Sequence, residues 1–288
     1  MSLNIRELLS GHEVIAAPGV YDLISLRIAA QCGAKILYMT GYGTVGSHLG
    51  VPDAGIASYR DMLSRVQIMA PMAAEFGVPL IADGDTGYGG VINVAHTVRG
   101  YEAAGASAIQ LEDQTFPKKC GHTLGRSVIP ADEMATKIKV AVDSRKDDEF
   151  LVIARTDART TLGLDEAIER MSLYAEAGAD LLFLESPESV EELEIIGKSF
   201  NKPLVANMVE GGRTPLLDTA SLGKLGFKLA LFPAVGFLAA GYALEKAYKE
   251  VILNGNSPEK TELSSFEKFN SLMGFEDVWE LEKKYQAK

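Results

Sequence analysis

The segment LEDQTFPKKCGH, residues 111–122, places a thiol among cationic and carboxylate side chains directly after an apolar run. Cys120 follows Lys118 and Lys119, and His122 comes two positions later. Because nearby cations stabilise a thiolate, this pattern predicts a lowered pKa for Cys120 and an exchange of its proton during turnover. A covalent nucleophile is the rival role, but no Cys-His-Asn/Asp family signature accompanies the thiol.

The use of cysteine elsewhere is sparse. Cys120 and His122 lack a second Cys/His pair that would complete a zinc tetrahedron, so a soft-metal site is disfavoured. Cys32, within LISLRIAAQCG, is expected to be a small buried hydrophobe, as free cysteines usually are. With only these two cysteines a disulfide framework is excluded, and we expect a reducing, cytoplasmic compartment.

The segment IADGDTGYGG, residues 81–90, suggests metal chemistry. Asp83 and Asp85 lie on the same side of an extended strand end that opens into a glycine-rich loop, and Glu112 ends the next predicted strand. Oxygen ligands suit a hard cation, and Mg²⁺ commonly takes only one or two carboxylates directly. These three carboxylates therefore predict a Mg²⁺ site, although aspartates that cap turns would produce a similar pattern.

A repeated pattern indicates the elements that position these groups. A helical stretch ends at a glycine and is followed by an apolar run, as in QCGAKILYM, EFGVPLIAD, AAGASAIQL, EAGADLLFL and KLGFKLALF. Glycine suits the left-handed position that closes a helix, and continuously apolar strands suit a buried parallel sheet. With VIAAP (14–18), LVIAR (151–155) and PLVAN (203–207), the chain has eight candidate strands.

This pattern predicts an α/β fold, a (β/α)8 TIM-type barrel, as a single domain over residues 1–288. No Gly-x-Gly-x-x-Gly turn follows the first strand, which disfavours a dinucleotide-binding sheet. Residues 234–255 read as the eighth helix. A helical extension over about 257–288 begins with Ser257 as a predicted N-cap, and covers one barrel end or forms an oligomer contact.

The composition limits the classes of molecule that the protein is expected to bind. The 288 residues carry a net charge of −11, which opposes nucleic-acid binding and polybasic membrane contact. No window approaches the length of a membrane-spanning helix. Anionic small molecules remain compatible, since a pocket can be locally basic or hold a cation.

Polar residues follow most of the predicted strands, at the barrel end where catalytic groups lie. We expect the following side chains to converge there: Thr40, Asp83, Asp85, Glu112, Asp113, Arg155, Asp157, Glu185 and Asn207.

Taken together and in order, DGDTGYGG, LEDQ, KKCGH, ARTDAR, TGYGTVGSHLGVPDAGI and VANMVEGGRTPL resemble the isocitrate lyase/phosphoenolpyruvate mutase superfamily over roughly residues 12–285. The smaller members, namely methylisocitrate lyases, 2,3-dimethylmalate lyases and petal death proteins, are the most similar. The resemblance implies that the eighth helix is exchanged between subunits, in homotetramers built as dimers of helix-swapped dimers.

The resemblance also implies the site. Mg²⁺, or alternatively Mn²⁺, would bind Asp85 directly and reach Asp83, Glu112 and Asp53 through water. The di- or tricarboxylate substrate would contact the following residues: Thr40, Gly41, Tyr42, Gly121, His122, Arg155, Glu185, Asn207 and Thr214.

By the same resemblance, the expected reaction is cleavage of a 2-hydroxy dicarboxylate to pyruvate, or a related keto acid, plus a carboxylate. Cys120 would protonate the departing carbon, while Lys119 and His122 supply charge around it. Arg155 would stabilise the oxyanion, and Tyr42 is the candidate base for the substrate hydroxyl.

Retention of KKCGH favours a carbon–carbon lyase, and Phe266 near the position expected for an arginine favours a 2-alkylmalate such as 2,3-dimethylmalate. The alternatives are a methylisocitrate lyase giving pyruvate and succinate, an oxaloacetate hydrolase, and a carboxyvinyl-carboxyphosphonate or phosphoenolpyruvate mutase-type enzyme. A barrel that binds a keto acid without catalysis is the alternative from a different class.

Overall fold

A closed barrel of eight parallel strands, hydrogen-bonded in chain order, forms the centre of the computed structural model, which describes residues 4–123 and 125–286. The strands are β1 (Ile15–Val20), β2 (Leu37–Met39), β3 (Leu80–Asp83), β4 (Ala108–Glu112), β5 (Leu151–Thr156), β6 (Leu181–Leu184), β7 (Leu204–Asn207) and β8 (Leu229–Phe232). All eight coincide with the predicted strands, so the (β/α)8 prediction is confirmed.

One or more helices follow each strand along the chain, and a short helix precedes the first strand. They are α1 (Ile5–Leu9), α2 (Leu23–Gln31), α3 (Gly41–Leu49), α4 (Tyr59–Glu75), α5 (Val91–Ala103), α6 (Ala131–Ser144), α7 (Arg159–Leu162), α8 (Leu164–Glu176), α9 (Val190–Ser199), α10 (Thr219–Lys224), α11 (Val235–Asn254), α12 (Phe266–Met273) and α13 (Phe275–Tyr285). The five glycines of the repeated pattern all have positive φ, between 70° and 107°, as the helix-closing position requires.

Apolar side chains on both faces of the strands explain the barrel. One face of each strand packs inside the barrel, for example Ile81 and Phe183, while the other packs beneath the helices. Ile5 and Leu9 of α1 belong to the inner cluster, so α1 closes the end where the strands begin. The functional groups therefore collect at the opposite end, where the strands stop.

The predicted helix start at Ser257 is wrong. The backbone N–H groups of Glu259 and Lys260 each donate to a Glu250 carboxylate oxygen at 3.0 Å, so a side chain satisfies this backbone without a helix. Helix α12 begins instead at Phe266, and Ser265 is its N-cap through a 3.1 Å bond from the Lys268 N–H.

The prediction for Cys32 is also wrong, because this cysteine is exposed. It caps the end of α2 and lines an apolar groove of about 540 Å³ on the outside of the barrel, beside Ala16, Ala29 and Phe232. This groove, between α2 and the ends of β1 and β8, is called the β1/β8 groove below.

The chain divides into two compact units between Phe237 and Leu238. Helix α11 crosses the division, and none of its residues is buried. In the second unit Leu272 is the buried apolar residue among those described. Within the part of the chain that the structure describes, no helix combines the length and apolar character needed to cross a bilayer.

Candidate active site

Four carboxylates form an acid cluster at the ends of β3 and β4 and in the loop after α3: Asp53, Asp83, Asp85 and Glu112, all buried. The Asp85 backbone, at a φ of 48°, donates its N–H to Asp83 Oδ1 at 3.0 Å. The two aspartates are therefore brought together by a left-handed turn after β3, and not by the extended strand end that the sequence predicted. Asp83 Oδ2 accepts the Gly41 N–H at 3.1 Å, which ties the start of α3 to the same cluster.

Lys118 supplies the cluster's countercharge. Its Nζ lies 2.6 Å from Asp53 Oδ1 and 2.5 Å from Asp85 Oδ1, and the lysine is buried. Burial acts against this charge, but the surrounding carboxylates, led by Asp85 and Glu112, raise the pKa of Lys118 well above its usual range. The ammonium therefore stays protonated.

The acid cluster suits a hard cation. Burial, together with the charges of Asp83 and Asp53, raises the pKa of Asp85 to about 7 even though Lys118 opposes the shift. Burial likewise raises the pKa of Glu112 well above its usual range. These buried carboxylates offer only oxygen ligands, the donor set that Mg²⁺ prefers.

Among the described residues no three acidic, histidine or cysteine side chains converge tightly enough to hold a metal directly. One direct ligand supplemented by water-mediated ones, as expected for Asp85 and its neighbours, stays a prediction.

Arg155 at the end of β5 faces the acid cluster from the other side. Glu112 and Arg155 are paired on neighbouring strands, with Nη1 and Oε2 3.4 Å apart. Asp157 accepts two 2.9 Å bonds from the guanidinium, and Glu185 Oε2 lies 3.5 Å from Nη2. Burial disfavours the charge, yet these carboxylates raise the pKa of Arg155 well above its usual range.

Glu185, His122 and Asn207 form a hydrogen-bonded group beside Arg155. Asn207 Nδ2 donates to Glu185 Oε2 at 3.0 Å, and His122 Nε2 lies 3.2 Å from Glu185 Oε1. The Arg213 N–H donates to His122 Nδ1 at 3.2 Å, which assigns the ring proton to Nε2, facing Glu185. Although burial opposes it, Arg155 and the bonds from His122 hold the pKa of Glu185 well below its usual range.

Cys120 is carried by the thiol loop, residues 116–126, of which residue 124 lies outside the described residues. The loop leaves and returns through a short antiparallel base, where Gln114 pairs with Val128 and the Thr115 N–H donates to the Ser127 carbonyl at 2.8 Å.

The thiol loop is seated on the site by backbone contacts. The Cys120 N–H donates to the Asp53 carbonyl at 3.2 Å, and the Gly121 carbonyl accepts from Ser186 Oγ at 3.1 Å. A Cβ on Gly121 would lie 2.2 Å from Arg155 Nη2, so only glycine permits this approach. The loop therefore brings Cys120 next to the arginine and the acid cluster together.

The predicted lowering of the Cys120 pKa is wrong. Burial raises the pKa of Cys120, outweighing a hydrogen bond from the His122 backbone and the charge of Arg155. The two lysines next to the thiol do not supply the expected charge, because Lys118 pairs with the acid cluster and Lys119 Nζ donates to the Gly125 carbonyl at 3.0 Å. The thiol is thus kept in its protonated form.

The remaining predicted residues lie around this centre. Thr40 precedes α3 and is buried, and Thr214 is buried with its hydroxyl lacking a hydrogen-bond partner. Asn207 Oδ1 is likewise buried without a hydrogen-bond partner among the described residues. Tyr42 is 42% exposed, with its ring edge-on to Phe237 at a 5.6 Å centroid separation.

Several contributors were missed from the sequence. Gln114 donates to Glu112 Oε1 at 2.9 Å and to the Lys119 carbonyl at 2.8 Å, joining the acid cluster to the thiol loop. Ser186, at a φ of 60°, donates a hydrogen bond from its hydroxyl to the Gly121 carbonyl. Gln114 is the last residue of the LEDQ motif, and Ser186 directly follows Glu185. Their closeness in sequence to predicted site residues is the one feature that could have identified them. Lys118 had no signal that distinguished it from Lys119.

Asp113 also follows β4, but it faces away from the acid cluster. It accepts the Thr156 hydroxyl at 2.6 Å and the Tyr174 hydroxyl at 2.8 Å. Asp113 therefore supports the end of β5 from behind instead of lining the site.

Comparison with known proteins gives this geometry a family context. The family model described as phosphoenolpyruvate phosphomutase matches residues 5–252. The chain is 45% identical over 283 residues to a 2,3-dimethylmalate lyase of Eubacterium barkeri, covering 98% of this chain and 97% of that protein. It is 38% identical over 276 residues to a 2-methylisocitrate lyase of Aeropyrum pernix, covering 96% and 88% respectively.

Among solved structures, an oxaloacetate acetylhydrolase in complex with 3,3-difluorooxalacetate superposes with a TM-score of 0.93 at 36% identity, covering 100% of this chain and 97% of the other. A phosphonopyruvate hydrolase in complex with oxalate and Mg²⁺ superposes with a TM-score of 0.86 at 30% identity, covering 98% of both chains. Lyases and hydrolases thus share this barrel.

Proposed function

The chain belongs to the phosphoenolpyruvate mutase/isocitrate lyase superfamily, and we propose that it is a Mg²⁺-dependent carbon–carbon lyase acting on a 2-hydroxy dicarboxylate. A 2-alkylmalate such as 2,3-dimethylmalate is the proposed substrate, giving a keto acid such as pyruvate and a simple carboxylate. The observation that carries this proposal is the half-buried thiol of Cys120, whose pKa is raised by burial and whose neighbour Gly121 lies against Arg155.

The chemistry requires a proton donor for a carbanion. When the substrate hydroxyl loses its proton, the C2–C3 bond breaks and its electron pair remains on C3, next to a carboxylate. Cys120 donates its proton to C3 and is left as a thiolate, which regains a proton before the next turnover. A thiol with a raised pKa suits this role better than that of a nucleophile, which must be a thiolate.

The other residues bind and orient the substrate. Arg155 neutralises the carboxylate of the hydroxy-acid end, the unpartnered hydroxyl of Thr214 donates to a substrate oxygen, and the unpartnered Oδ1 of Asn207 accepts from the substrate hydroxyl. Tyr42 is proposed as the base, because it directly follows Gly41, whose N–H donates to Asp83 of the acid cluster. The backbone of the thiol loop excludes water from the carbanion.

The acid cluster is proposed to hold the metal, with Asp85 as the direct ligand and Asp53, Asp83 and Glu112 binding its waters. Mg²⁺ there would supply Lewis-acid stabilisation of negative charge on the substrate oxygen. Lys118 already balances part of the acidic charge and fixes the start of the thiol loop next to the cluster.

The proposal is tested by measuring keto-acid release from 2,3-dimethylmalate and 2-methylisocitrate, with Mg²⁺ and with a chelator. We expect Mg²⁺-dependent release, and a Cys120→Ser variant that retains binding of oxalate while turnover falls about 1,000-fold. Cys32→Ser is the matched control and should turn over normally. Absence of release from both substrates would sink the lyase proposal.

Oxaloacetate hydrolysis is the second candidate, because the superposition with oxaloacetate acetylhydrolase has a TM-score of 0.93. That reaction would use the site to activate water, and the departing acetate carbanion also takes up a proton at C3, so Cys120 can serve either reaction. Oxalate release from oxaloacetate, with no keto-acid release from 2,3-dimethylmalate or 2-methylisocitrate, would favour this candidate.

We also propose that α11 is exchanged between subunits and that the enzyme is a cytoplasmic homotetramer. No residue of α11 is buried, and Tyr242, Ile252 and Leu253 are strongly exposed. The β1/β8 groove offers a partner's α11 an apolar surface and would then cover Cys32. Light scattering should give a tetramer, and Ile252→Asp should lower the mass, whereas Lys246→Asp on the same helix should not.

A further inference from the structure

Arg126 stands at the returning end of the thiol loop, directly before its paired base. Its side chain is 1% exposed, although arginine is normally a surface residue. Nη1 lies 2.5 Å from Asp157 Oδ1, and Nη2 donates to Thr160 Oγ1 at 2.6 Å. The returning end of the loop is therefore attached to Asp157, which directly follows β5, and to Thr160 in α7.

Asp157 is shared between two arginines. Its Oδ1 accepts from Arg126 Nη1 at 2.5 Å and from Arg155 Nη2 at 2.9 Å, while Oδ2 accepts from Arg155 Nε at 2.9 Å. A carboxylate that is shared between two guanidiniums neutralises each of them less than it would neutralise one alone. By pairing with Asp157, Arg126 therefore leaves more of the positive charge of Arg155 available to a substrate carboxylate.

The thiol loop meets the same guanidinium at Nη2. Gly121 approaches Arg155 so closely that a Cβ would lie 2.2 Å from Nη2. The nitrogen that donates to Asp157 therefore also lies against the Gly121 backbone. Any change in its position has to be accommodated by the loop that carries Cys120.

We infer that Arg126 is a positioning residue: acting through Asp157, it holds the thiol loop on the site and orients Arg155 toward the substrate carboxylate. The link requires no contact between Arg126 and the reacting atoms. The inference deepens the proposed function and rests on it for the nature of the anion at Arg155, whereas the attachment of the loop does not depend on any substrate.

The test measures how fast iodoacetamide modifies Cys120, followed by peptide mass spectrometry, without substrate. Arg126→Gln should increase this rate about 10-fold or more, because the loop detaches more often. Arg126→Lys, which keeps a charge for Asp157, should lie between Gln and wild type. Arg145→Gln is the matched control, since it removes an ion pair of 2.6 Å with Asp180 at the opposite end of the barrel.

A second measurement addresses Arg155. Titration of Mg²⁺ and oxalate into Arg126→Gln should show about 10-fold weaker oxalate binding, while Arg145→Gln binds normally. With substrate, Arg126→Gln should raise KM as well as lower kcat, and a general loss of stability would not produce this pattern in the folded fraction.

Unchanged Cys120 modification in folded Arg126→Gln would overturn the inference. If Arg126→Gln does not fold, Thr160→Val is used instead, because it removes only the hydrogen bond from Arg126 Nη2 to the Thr160 hydroxyl. Modification of Cys120 that is faster than in wild type then supports the inference, and modification at the wild-type rate overturns it. Because the modification assay uses no substrate, absence of lyase activity would refute the proposed function while leaving this result to stand.

Discussion

The two sides of the site differ in how their charges are balanced. On the acid side, four buried carboxylates have one lysine among them, and the pKa of Asp85 rises to about 7. On the arginine side, the carboxylates of Asp157 and Glu185 are matched by Arg155 and Arg126, and the pKa of Glu185 is depressed. The acid side thus carries an excess of negative charge, which the proposed Mg²⁺ would offset, while the charges of the arginine side are already paired.

This difference predicts the largest effect for Asp85→Asn. Loss of the proposed direct ligand should lower kcat/KM about 1,000-fold and abolish Mg²⁺ binding in calorimetry. The metal-free variant should also unfold at a higher temperature than wild type, because a buried carboxylate crowded by like charges is removed. Asp143→Asn, at an exposed position paired with Lys139, is the control. Normal Mg²⁺ binding by Asp85→Asn would contradict the assignment.

On the arginine side, Gly121→Ala should have the next largest effect. The added methyl group collides with Arg155 Nη2, so the guanidinium or the thiol loop has to move. A displacement near 1 Å is expected to reduce kcat/KM about 100-fold. Gly90→Ala, where a Cβ meets no atom within 4 Å, should retain activity. A fully active Gly121→Ala would show that the close approach is not required for turnover.

The smallest effect concerns pH and stability. Asp85 has a raised pKa in the folded protein, so it binds more protons when folded than when unfolded. Its destabilising contribution to the free energy of unfolding therefore grows as the pH rises from about 4 to the folded-state pKa of about 7. Glu185, whose pKa is depressed, contributes a stabilisation that is already complete above pH 5.

The metal-free protein should therefore melt at least about 3 °C higher at pH 5 than at pH 8. Scanning fluorimetry with and without Mg²⁺ measures this, and both Mg²⁺ and Asp85→Asn should flatten the dependence. A metal-free protein that melts at a higher temperature at pH 8 than at pH 5 would show that the buried carboxylates of the acid side do not destabilise the fold when ionised.

The sequence was sufficient for the barrel because five of the eight strands follow a glycine-closed helix and the strands are mostly apolar. It was also sufficient to bring Asp83, Asp85, Glu112, Arg155 and Glu185 to one end, since parallel strands place their last residues together. These inferences follow from periodicity and from the direction of the strands.

What could not be predicted depends on contacts across the thiol loop. Adjacent lysines in KKCGH carry the same local signal, yet Lys118 enters the acid cluster and Lys119 binds the Gly125 carbonyl. The thiol pKa was misjudged for the same reason, because burial depends on where the loop is seated. Cys32 was misjudged because the helical pattern around it does not show which part of the barrel lacks a covering helix.

The paired base of the thiol loop has a consequence for how this barrel can change over time. The chain leaves the barrel at Gln114 and returns at Val128, and these two residues pair with each other. The segment between them can therefore change in length or composition without moving the strands. A shorter or differently composed insert would leave the strand order intact, although it would change the countercharge that Lys118 gives the acid cluster. New reactions can therefore arise by changing a few residues at one rim, without refolding the barrel.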